Sequence, residues 1–186
     1  MRIISGFLKG KKIKFLKNSN TRPLKDSVKE NIFNILIHSK FIKAKIEKSN
    51  VLDLYSGIGS FGIECISRGA EKVTFIEKDI SALNTLKENL KFLSIINKTK
   101  LLNRKIEDEL GHKFENKFDI FFLDPPFADS DFINNLKKLK DAKLFNKNHI
   151  VIIHREKKAF DDFENLLKII ETKAYGRSKI IFGSFS

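Results

Sequence analysis

The stretch that most constrains the fold is residues 51–62, VLDLYSGIGSFG, where an apolar run ends in a glycine loop and continues as an amphipathic segment. This pattern predicts a strand, a tight turn and a helix. The strand is of the buried kind found in parallel sheets. Gly57 and Gly59 permit positive φ angles and let a ligand approach the backbone closely. In open α/β sheets, ligands bind in the crevice at the carboxyl ends of such strands.

The loop glycines also match G-x-G-x-x-G, the fingerprint of dinucleotide-binding proteins, but this match alone is weak. Asp53, inside the strand end, suits a cationic ligand better than a pyrophosphate, and the loop begins with Tyr55 and Ser56 before its first glycine. The pattern resembles the first motif of class I S-adenosylmethionine-dependent methyltransferases, in which the acid lies near the methionine end of the cofactor. The structural alternative is a strand-to-helix turn that binds nothing.

After the loop, strand and helix patterns alternate, which predicts βαβ units and a doubly wound, mostly parallel sheet. The predicted strands are residues 51–55, 73–77, 100–103, 118–124 and 149–154. The first predicted helix follows the glycine loop and ends near residue 68, and the others span about 81–93, 132–139 and 160–167. Residues 166–185 read as two strands joined at 175–178, an antiparallel terminal hairpin. The expected fold is therefore α/β, with the seven-stranded, Rossmann-like sheet of class I methyltransferases.

Ahead of this pattern, residues 2–16 alternate around Gly6 and Gly10 and predict a short basic β-hairpin that is too small to fold alone. A helix follows, with Ser27 and Glu30 in capping-box spacing. We therefore divide the chain into an amino-terminal extension, residues 1–24, and a methyltransferase domain, residues 25–186.

The net charge of +13 indicates a polyanionic partner. Part of this charge is discounted, because the base composition of a genome can also raise the lysine content of its proteins. The placement of the charge is more informative, because eight basic residues and no acidic residue precede Asp26. This concentration of basic residues favours a role in binding nucleic acid over a surface that is only solvated. The candidate RNA contacts are Lys9, Lys11, Lys12 and Arg22.

Glu77 ends the second strand, 18 positions after Gly59, where a doubly wound fold has an acid that accepts hydrogen bonds from both ribose hydroxyls. This spacing fits NAD and S-adenosylmethionine equally. Asp79 is interpreted as the cap of the next helix. By family resemblance, the contacts to adenine follow the third strand, at residues 103–106, and include Ile106.

The DPPF sequence of residues 124–127 decides between the two cofactors, because it follows the fourth strand at the same sheet edge as the glycine loop. Its two prolines, Pro125 and Pro126, make a rigid turn rich in carbonyl acceptors. The amine on a base ring is a poor nucleophile, and the Asp124 carboxylate and the Pro125 carbonyl can orient it towards a sulfonium methyl group. Phe127 offers a face on which the extruded base stacks. The alternative is a strand exit with a core phenylalanine.

Other chemistries find little support in the sequence. The single cysteine, Cys65, excludes a disulfide within the chain and is interpreted as a buried apolar residue. The four histidines lack metal-ligand spacing, so no metal is expected. His154 ends the fifth strand, and of two roles, facing the pocket or being capped or solvent-touching, the second is favoured. The amino terminus lacks the apolar segment of a signal peptide, so we expect a cytoplasmic monomer without a membrane segment.

Several segments together resemble the bacterial 16S ribosomal RNA guanine-N2 methyltransferase family over nearly the whole chain: GFLKGKKIK, TRPLKDSVKENIFNIL, VLDLYSGIGSFGIECISRGA, VTFIEKD, FFLDPPF and KAYGRSKIIF. The resemblance implies that S-adenosylmethionine is the cofactor and that 16S ribosomal RNA, within a small-subunit particle, is the substrate. The implied cofactor residues are Asp53, Tyr55, Gly57, Gly59, Glu77, Ile106 and Asp124, and residues 124–127 would hold the guanine. Two alternatives stay open: an adenine-N6 methyltransferase acting on DNA or RNA, and a non-catalytic RNA-binding module.

Overall fold

The computed structural model describes residues 1–16, 24–103, 106–109, 114–126, 128–129 and 131–186. The strands are β1 (Asn50–Leu54), β2 (Lys72–Ile76), β3 (Thr99–Leu102), β4 (Phe118–Leu123), β5 (Phe145–Glu156), β6 (Leu167–Tyr175) and β7 (Ser178–Phe185). The helices are α1 (Asp26–His38), α2 (Ser60–Ser67), α3 (Ile80–Phe92), α4 (Ile106–Glu109) and α5 (Phe132–Asp141), with a 3-10 turn at Ile96–Lys98.

The seven strands form one sheet in the order β3-β2-β1-β4-β5-β7-β6, and β7 runs antiparallel to both of its neighbours. The first five strands are parallel, which confirms the doubly wound fold and the antiparallel terminal hairpin. The strand order reverses between β1 and β4. Such a switch point opens a crevice at the carboxyl ends of the two strands, where ligands bind in folds of this kind.

Strand register brings the predicted site residues to one edge of the sheet. Asp53 pairs with Phe75 of β2 on one side and with Phe122 of β4 on the other. Leu123 of β4 pairs with Ile153 of β5, so the residues that follow these two lie side by side. The carboxyl edge is therefore where the ends of β1, β2, β4 and β5 meet.

Apolar side chains pack on both faces of the sheet, as expected for parallel strands covered by helices. On one face the core joins α1, α2 and α3 to the sheet. Phe61 of α2 is stacked between Phe33 of α1, at 5.2 Å, and Phe122 of β4, at 4.1 Å between ring centroids. On the other face the core includes Ile106, Phe132 and Leu136 from α4 and α5. No helix in the described ranges has the length and apolarity needed to cross a membrane.

The amino-terminal hairpin is present in a short form. Its two arms are joined by the bridge between Arg2 and Lys12 and by a hydrogen bond from the Ile3 amide to the Lys11 carbonyl, 2.9 Å. Three of its apolar side chains lie in the core of the α1–α3 face, Ile3, Leu8 and Ile13, whereas Phe7 and Phe15 are exposed. The hairpin therefore leans on the rest of the protein, as predicted, while the proposed boundary at residue 24 stays a prediction.

A buried polar cluster, which the sequence reading missed, attaches this hairpin to the helices. Glu64 of α2 is fully buried and accepts hydrogen bonds from the backbone amides of Ile4, at 2.8 Å, and Ser5, at 2.9 Å. The fully buried Lys29 of α1 lies 3.6 Å from Glu64 and donates to the Arg2 carbonyl, 2.9 Å. Burial lowers the pKa of Lys29, and the neighbouring carboxylates oppose that shift.

Two predictions about local structure are wrong. The helix expected at 160–167 is a loop, because Asp161 is held by Arg155 and because Asp162 accepts a hydrogen bond from the Glu164 amide, 2.8 Å. Hydrogen bonds from a backbone amide to an aspartate side chain two residues earlier compete with the hydrogen bonds of a helix. The capping box is also wrong: α1 begins at Asp26, and no side chain caps its amino terminus.

Candidate active site

The loop between β1 and α2 has the backbone conformation that its glycines predict. Tyr55, Gly57 and Gly59 have φ angles of 57°, 54° and 80°. A Cβ atom on Gly59 would lie 2.4 Å from Leu86 of α3, so a larger residue is excluded by packing inside the protein. A Cβ on Gly57 would meet nothing within 4 Å. Gly57 is therefore favoured by its φ angle and not by packing, and the space beside it is open to a ligand.

Glu77 connects the glycine loop to the end of β2. Its Oε2 accepts a hydrogen bond from the Gly57 amide, 2.7 Å, and its Oε1 accepts one from the Asp79 amide, 2.8 Å. A carboxylate has about four acceptor positions, so two remain for ribose hydroxyls. Asp79 caps α3 by accepting from the Ala82 amide, 2.7 Å, which confirms its predicted role.

Asp53 is buried beneath this loop. Its Oδ2 accepts a hydrogen bond from the Gly62 amide, 3.0 Å, while its buried Oδ1 has no hydrogen-bond partner in the described part of the chain. Burial raises the pKa of Asp53 well above its usual range, and the nearby carboxylates Asp124 and Glu77 raise it further. An unsatisfied buried acceptor costs free energy. A cationic donor brought by a ligand would remove that cost and favour the ionised form.

The Asp124-Pro125-Pro126 turn is held from the neighbouring strand β5. The Oδ1 of Asp124 lies 2.8 Å from the Nδ1 of His154. Because an ionised carboxylate only accepts hydrogen bonds, Nδ1 carries the hydrogen. The Asp124 side chain is 22% exposed, so a substrate can reach it.

Arg155, the next residue of β5, fixes the second half of the turn. Its Nη1 donates to the Pro126 carbonyl, 3.1 Å, and its Nε and Nη2 form a two-point ion pair with Asp161, 3.1 and 3.0 Å. Its guanidinium also lies over the Phe132 ring, 4.4 Å from the centroid. Arg155 thus binds the Pro126 carbonyl and not the Pro125 carbonyl, which is predicted from the sequence to accept a hydrogen bond from the amine of the base.

The sequence reading missed the contribution of β5 to the site. The signal was present, since a histidine and an arginine stand at the carboxyl end of the strand that follows DPPF. To place these two side chains beside the DPP turn, the register of β5 against β4 must be known. The other histidine of this strand is structural: His149 donates through Nδ1 to the Asn146 carbonyl, 2.7 Å, and accepts at Nε2 from the Phe185 amide, 2.9 Å. Burial lowers its pKa.

Other predicted cofactor residues lie at the edge of this site. The hydroxyl of Tyr55 accepts a hydrogen bond from the Asn135 amide group, 3.0 Å. The side chain of Ile106 is buried in the core on the α5 face. Phe127 lies outside the described residues. Among the described residues, no cluster of three His, Cys, Asp or Glu side chains could hold a metal ion, and Cys65 is buried as predicted.

The predicted RNA contacts are not brought next to Asp124. Lys9, Lys11 and Lys12 are exposed. Arg22 lies outside the described residues.

The hairpin lies along α2: its turn contacts Ser67, at the carboxyl end of the helix. Its other end, the bridge between Arg2 and Lys12, lies near Ser60, because Lys29 contacts both the Arg2 carbonyl and the Ser60 hydroxyl. Lys12 therefore lies at the end of the hairpin that is nearer to the glycine loop.

Comparisons with known proteins agree with this architecture. A family profile described as Conserved hypothetical protein 95 matches residues 1–184. Ribosomal RNA small subunit methyltransferase D of Buchnera aphidicola is 36% identical over 84% of this chain and 78% of its own length. The protein of that name from Haemophilus influenzae is 35% identical over 84% and 79%. The solved structure "Putative methyltransferase yhhF from Escherichia coli" has a TM-score of 0.83 and 25% identity, over 100% of this chain and 97% of that one.

Proposed function

Because this chain belongs to the Conserved hypothetical protein 95 family, with the ribosomal RNA small subunit methyltransferase D proteins, we propose that it methylates small-subunit ribosomal RNA. The methyl donor is S-adenosylmethionine, and the acceptor is the exocyclic N2 amine of a guanine. The substrate puts the reaction in the bacterial cytoplasm, with the ribosomes.

The observation that carries this proposal is the fixed DPP turn at the same sheet edge as the glycine loop. His154 and Arg155 hold the two ends of the turn, at 2.8 and 3.1 Å. Such rigidity is what a positioning role requires, since much of the rate of a methyl transfer comes from holding the two reactants in line.

The choice of cofactor follows from charge. The carboxylates Asp53, Glu77 and Asp124 lie at neighbouring strand ends, close enough that the last two raise the pKa of the first. A sulfonium and an ammonium group are attracted to this crevice, whereas the pyrophosphate of NAD is repelled. Asp53 would receive the ammonium end, and Glu77 the ribose. When bound, S-adenosylmethionine supplies an electrophilic methyl group.

The residues of the turn act on the base. The Asp124 carboxylate and the Pro125 carbonyl each accept one N–H of the amine, which directs the nitrogen lone pair out of the base plane and towards the cofactor. The negative carboxylate also favours the positive charge that develops on the nitrogen in the transition state. His154 keeps the carboxylate in place. An adenine N6 amine fits the same acceptors, so the assignment to guanine depends on the family resemblance.

Substitution of Asp124 tests this function. If the Asp124 carboxylate acts on the amine and contributes little to holding the cofactor, whose ammonium and ribose are assigned to Asp53 and Glu77, we expect Asp124→Ala to reduce methyl transfer by orders of magnitude while the affinity for S-adenosylmethionine stays near normal. Asp124→Asn keeps an acceptor of nearly the same shape without the charge, so an intermediate loss would divide the effect between position and charge.

The product to measure is N2-methylguanosine in small-subunit ribosomal RNA from cells that lack the enzyme, offered both as naked RNA and as assembled particles. An Asp124→Ala variant as active as the parent would contradict the mechanism. N6-methyladenosine as the parent's only product would contradict the substrate and favour the adenine-N6 alternative.

A further inference from the structure

The loop between β5 and β6, residues 157–166, carries an aromatic side chain that no residue in the described ranges covers. Phe160 is 96% exposed, whereas the next most exposed large apolar side chain in the described ranges, Phe41, is 79% exposed. Single exposed apolar residues are common on protein surfaces. The position and the support of Phe160 distinguish it from such residues.

The backbone on both sides of Phe160 is anchored. The Ala159 amide donates to the Glu156 carbonyl, 3.1 Å, and the Ala159 carbonyl accepts from the Lys179 ammonium group. On the other side, Asp161 forms the two-point ion pair with Arg155, and both side chains are almost fully buried, at 6% and 4% exposure. The ring is therefore presented to solvent by a fixed loop, so a ligand that binds it pays little for ordering the backbone.

This loop lies next to the DPP turn. The guanidinium of Arg155 contacts Asp161 through Nη2 and the Pro126 carbonyl through Nη1, at 3.0 and 3.1 Å. A single side chain thus bridges the residue that follows Phe160 and the turn that we assign to the target base. Phe160 consequently lies within reach of nucleotides adjacent to that base.

The surroundings of Phe160 contain cations suited to a phosphate backbone. Lys157 and Lys158 are both exposed, and the Lys157 amide donates to the carbonyl of Arg177, 2.8 Å, which brings the exposed β6–β7 turn alongside. The exposed acids Glu156, Asp162 and Glu164 lie in or next to the same loop, so charge alone does not identify the partner. An exposed aromatic ring with flanking lysines beside a base-binding turn is the combination that single-stranded RNA sites use.

We propose that Phe160, with Lys157 and Lys158, is an RNA-binding site that stacks an unpaired base neighbouring the target nucleotide. The inference rests on the proposed function, which supplies the RNA. The stacked base would hold the strand in place after the target base has left its own stack. The amino-terminal lysines, which lie along α2, would then bind a more distant part of the same RNA.

A tryptophan reporter tests the stacking directly, because the natural chain has no tryptophan. In Phe160→Trp, we expect the fluorescence of the single indole to be quenched when small-subunit ribosomal RNA binds without cofactor. The control is Phe41→Trp: Phe41 is 79% exposed and follows α1. It lies with Ile35 and Ile170 on the face of the sheet opposite to the one on which Phe163 of the loop packs. Its fluorescence should change little. RNA binding itself is followed separately by filter retention.

Truncation gives the second readout. Loss of a base–aromatic stack weakens single-strand binding by roughly 5- to 100-fold, and we expect Phe160→Ala to raise the KM for RNA by such a factor with little change in kcat. Phe160→Tyr should restore binding, whereas Phe160→Leu, which keeps apolar bulk without an aromatic face, should not. The thermal shift produced by S-adenosylmethionine should be the same in all three variants, which checks that they fold.

The outcomes separate this inference from the function that it extends. If the parent binds and methylates the RNA but the Phe160→Trp signal does not change, the stacking site is overturned and the function stands. Full rescue by Phe160→Leu, or a loss seen only with assembled particles, would assign Phe160 to a protein contact and also overturn it. If the parent neither binds nor methylates the RNA, both proposals fall.

Discussion

The buried carboxyl group of Asp53 couples the stability of the protein to its ligand. Because burial and the neighbouring acids raise its pKa, the folded protein keeps this proton at pH values where the unfolded chain has lost it. The folded state therefore binds more protons, and the free energy of unfolding falls as pH rises from the usual carboxyl pKa through the raised one. A cationic cofactor offsets this loss by favouring the ionised form.

We predict that Asp53→Asn removes this pH dependence. Asparagine keeps an acceptor for the Gly62 amide but carries no charge, so the variant should gain stability relative to the parent as pH rises above the usual carboxyl pKa of about 4. The thermal shift produced by S-adenosylmethionine should become smaller, since the partner of its ammonium group is lost. Urea unfolding at several pH values measures the first effect. A stability difference independent of pH would contradict the prediction.

His154 is the residue most suited to testing preorganisation of the DPP turn. Asparagine places an N–H close to the position of Nδ1, whereas leucine has the shape of asparagine and no donor. We expect His154→Leu to lower kcat by about 10- to 100-fold, because Asp124 loses the contact that orients it. His154→Asn should recover most of that loss. KM for S-adenosylmethionine should stay unchanged in both, and equal rates for the two variants would exclude the positioning role.

Among the structural elements, the docking of the hairpin depends on one glycine. Gly6 and Gly10 have nearly equal φ angles, 82° and 83°. A Cβ on Gly6 would lie 1.8 Å from the Ser67 carbonyl oxygen, whereas a Cβ on Gly10 would meet nothing within 4 Å. The two positions thus carry the same backbone strain and differ only in contact with α2.

We predict that Gly10→Ala destabilises the protein by about 1–2 kcal/mol, the strain of a left-handed residue. Gly6→Ala should cost about 1–3 kcal/mol more, because the hairpin must move away from α2. The free energy of unfolding, from urea melts, measures both. Limited proteolysis should cut the amino-terminal segment of Gly6→Ala much faster than that of Gly10→Ala. Equal stability of the two variants would mean that the hairpin adjusts without detaching.

The β5–β6 connection shows how an element is mispredicted. The apolar residues at 160–167 have a spacing typical of a helix, but Arg155 of the preceding strand binds Asp161 and fixes the chain in another course. Phe163 and Leu166 of this segment pack against the core, whereas Phe160 is exposed to solvent. A segment this short forms only a marginal helix by itself, so a buried ion pair can hold it in a different conformation.

At the scale of the whole molecule, the net charge of +13 predicts strong but salt-sensitive RNA binding. We expect the triple substitution of Lys9, Lys11 and Lys12 by glutamine to weaken RNA binding and to flatten its dependence on salt, since each lost phosphate contact removes counterion release. The control is Lys14→Gln in the same hairpin, because Lys14 already pairs with Glu88 at 2.9 Å. An unchanged slope in the triple variant would make these lysines a solvated surface.

The sequence by itself determined the local parts of this protein. The apolar runs, the glycine loop, Asp79 as a helix cap and the terminal hairpin follow from steric rules and periodicities that operate within a few residues. The parallel class of the sheet followed from the alternation of strands and helices. The carboxylates of the candidate site were found for the same reason, since each stands at the end of a recognisable strand.

Only the tertiary structure decided what those parts contact. The His154–Asp124 and Arg155–Pro126 contacts join residues 30 and 29 positions apart and depend on the register of β5 against β4. The burial of Lys29 and Glu64 depends on α1, α2 and the hairpin meeting at one place. The interactions of a charged side chain become specific only when segments distant in sequence pack around it and exclude water. A local sequence pattern does not show where this packing occurs.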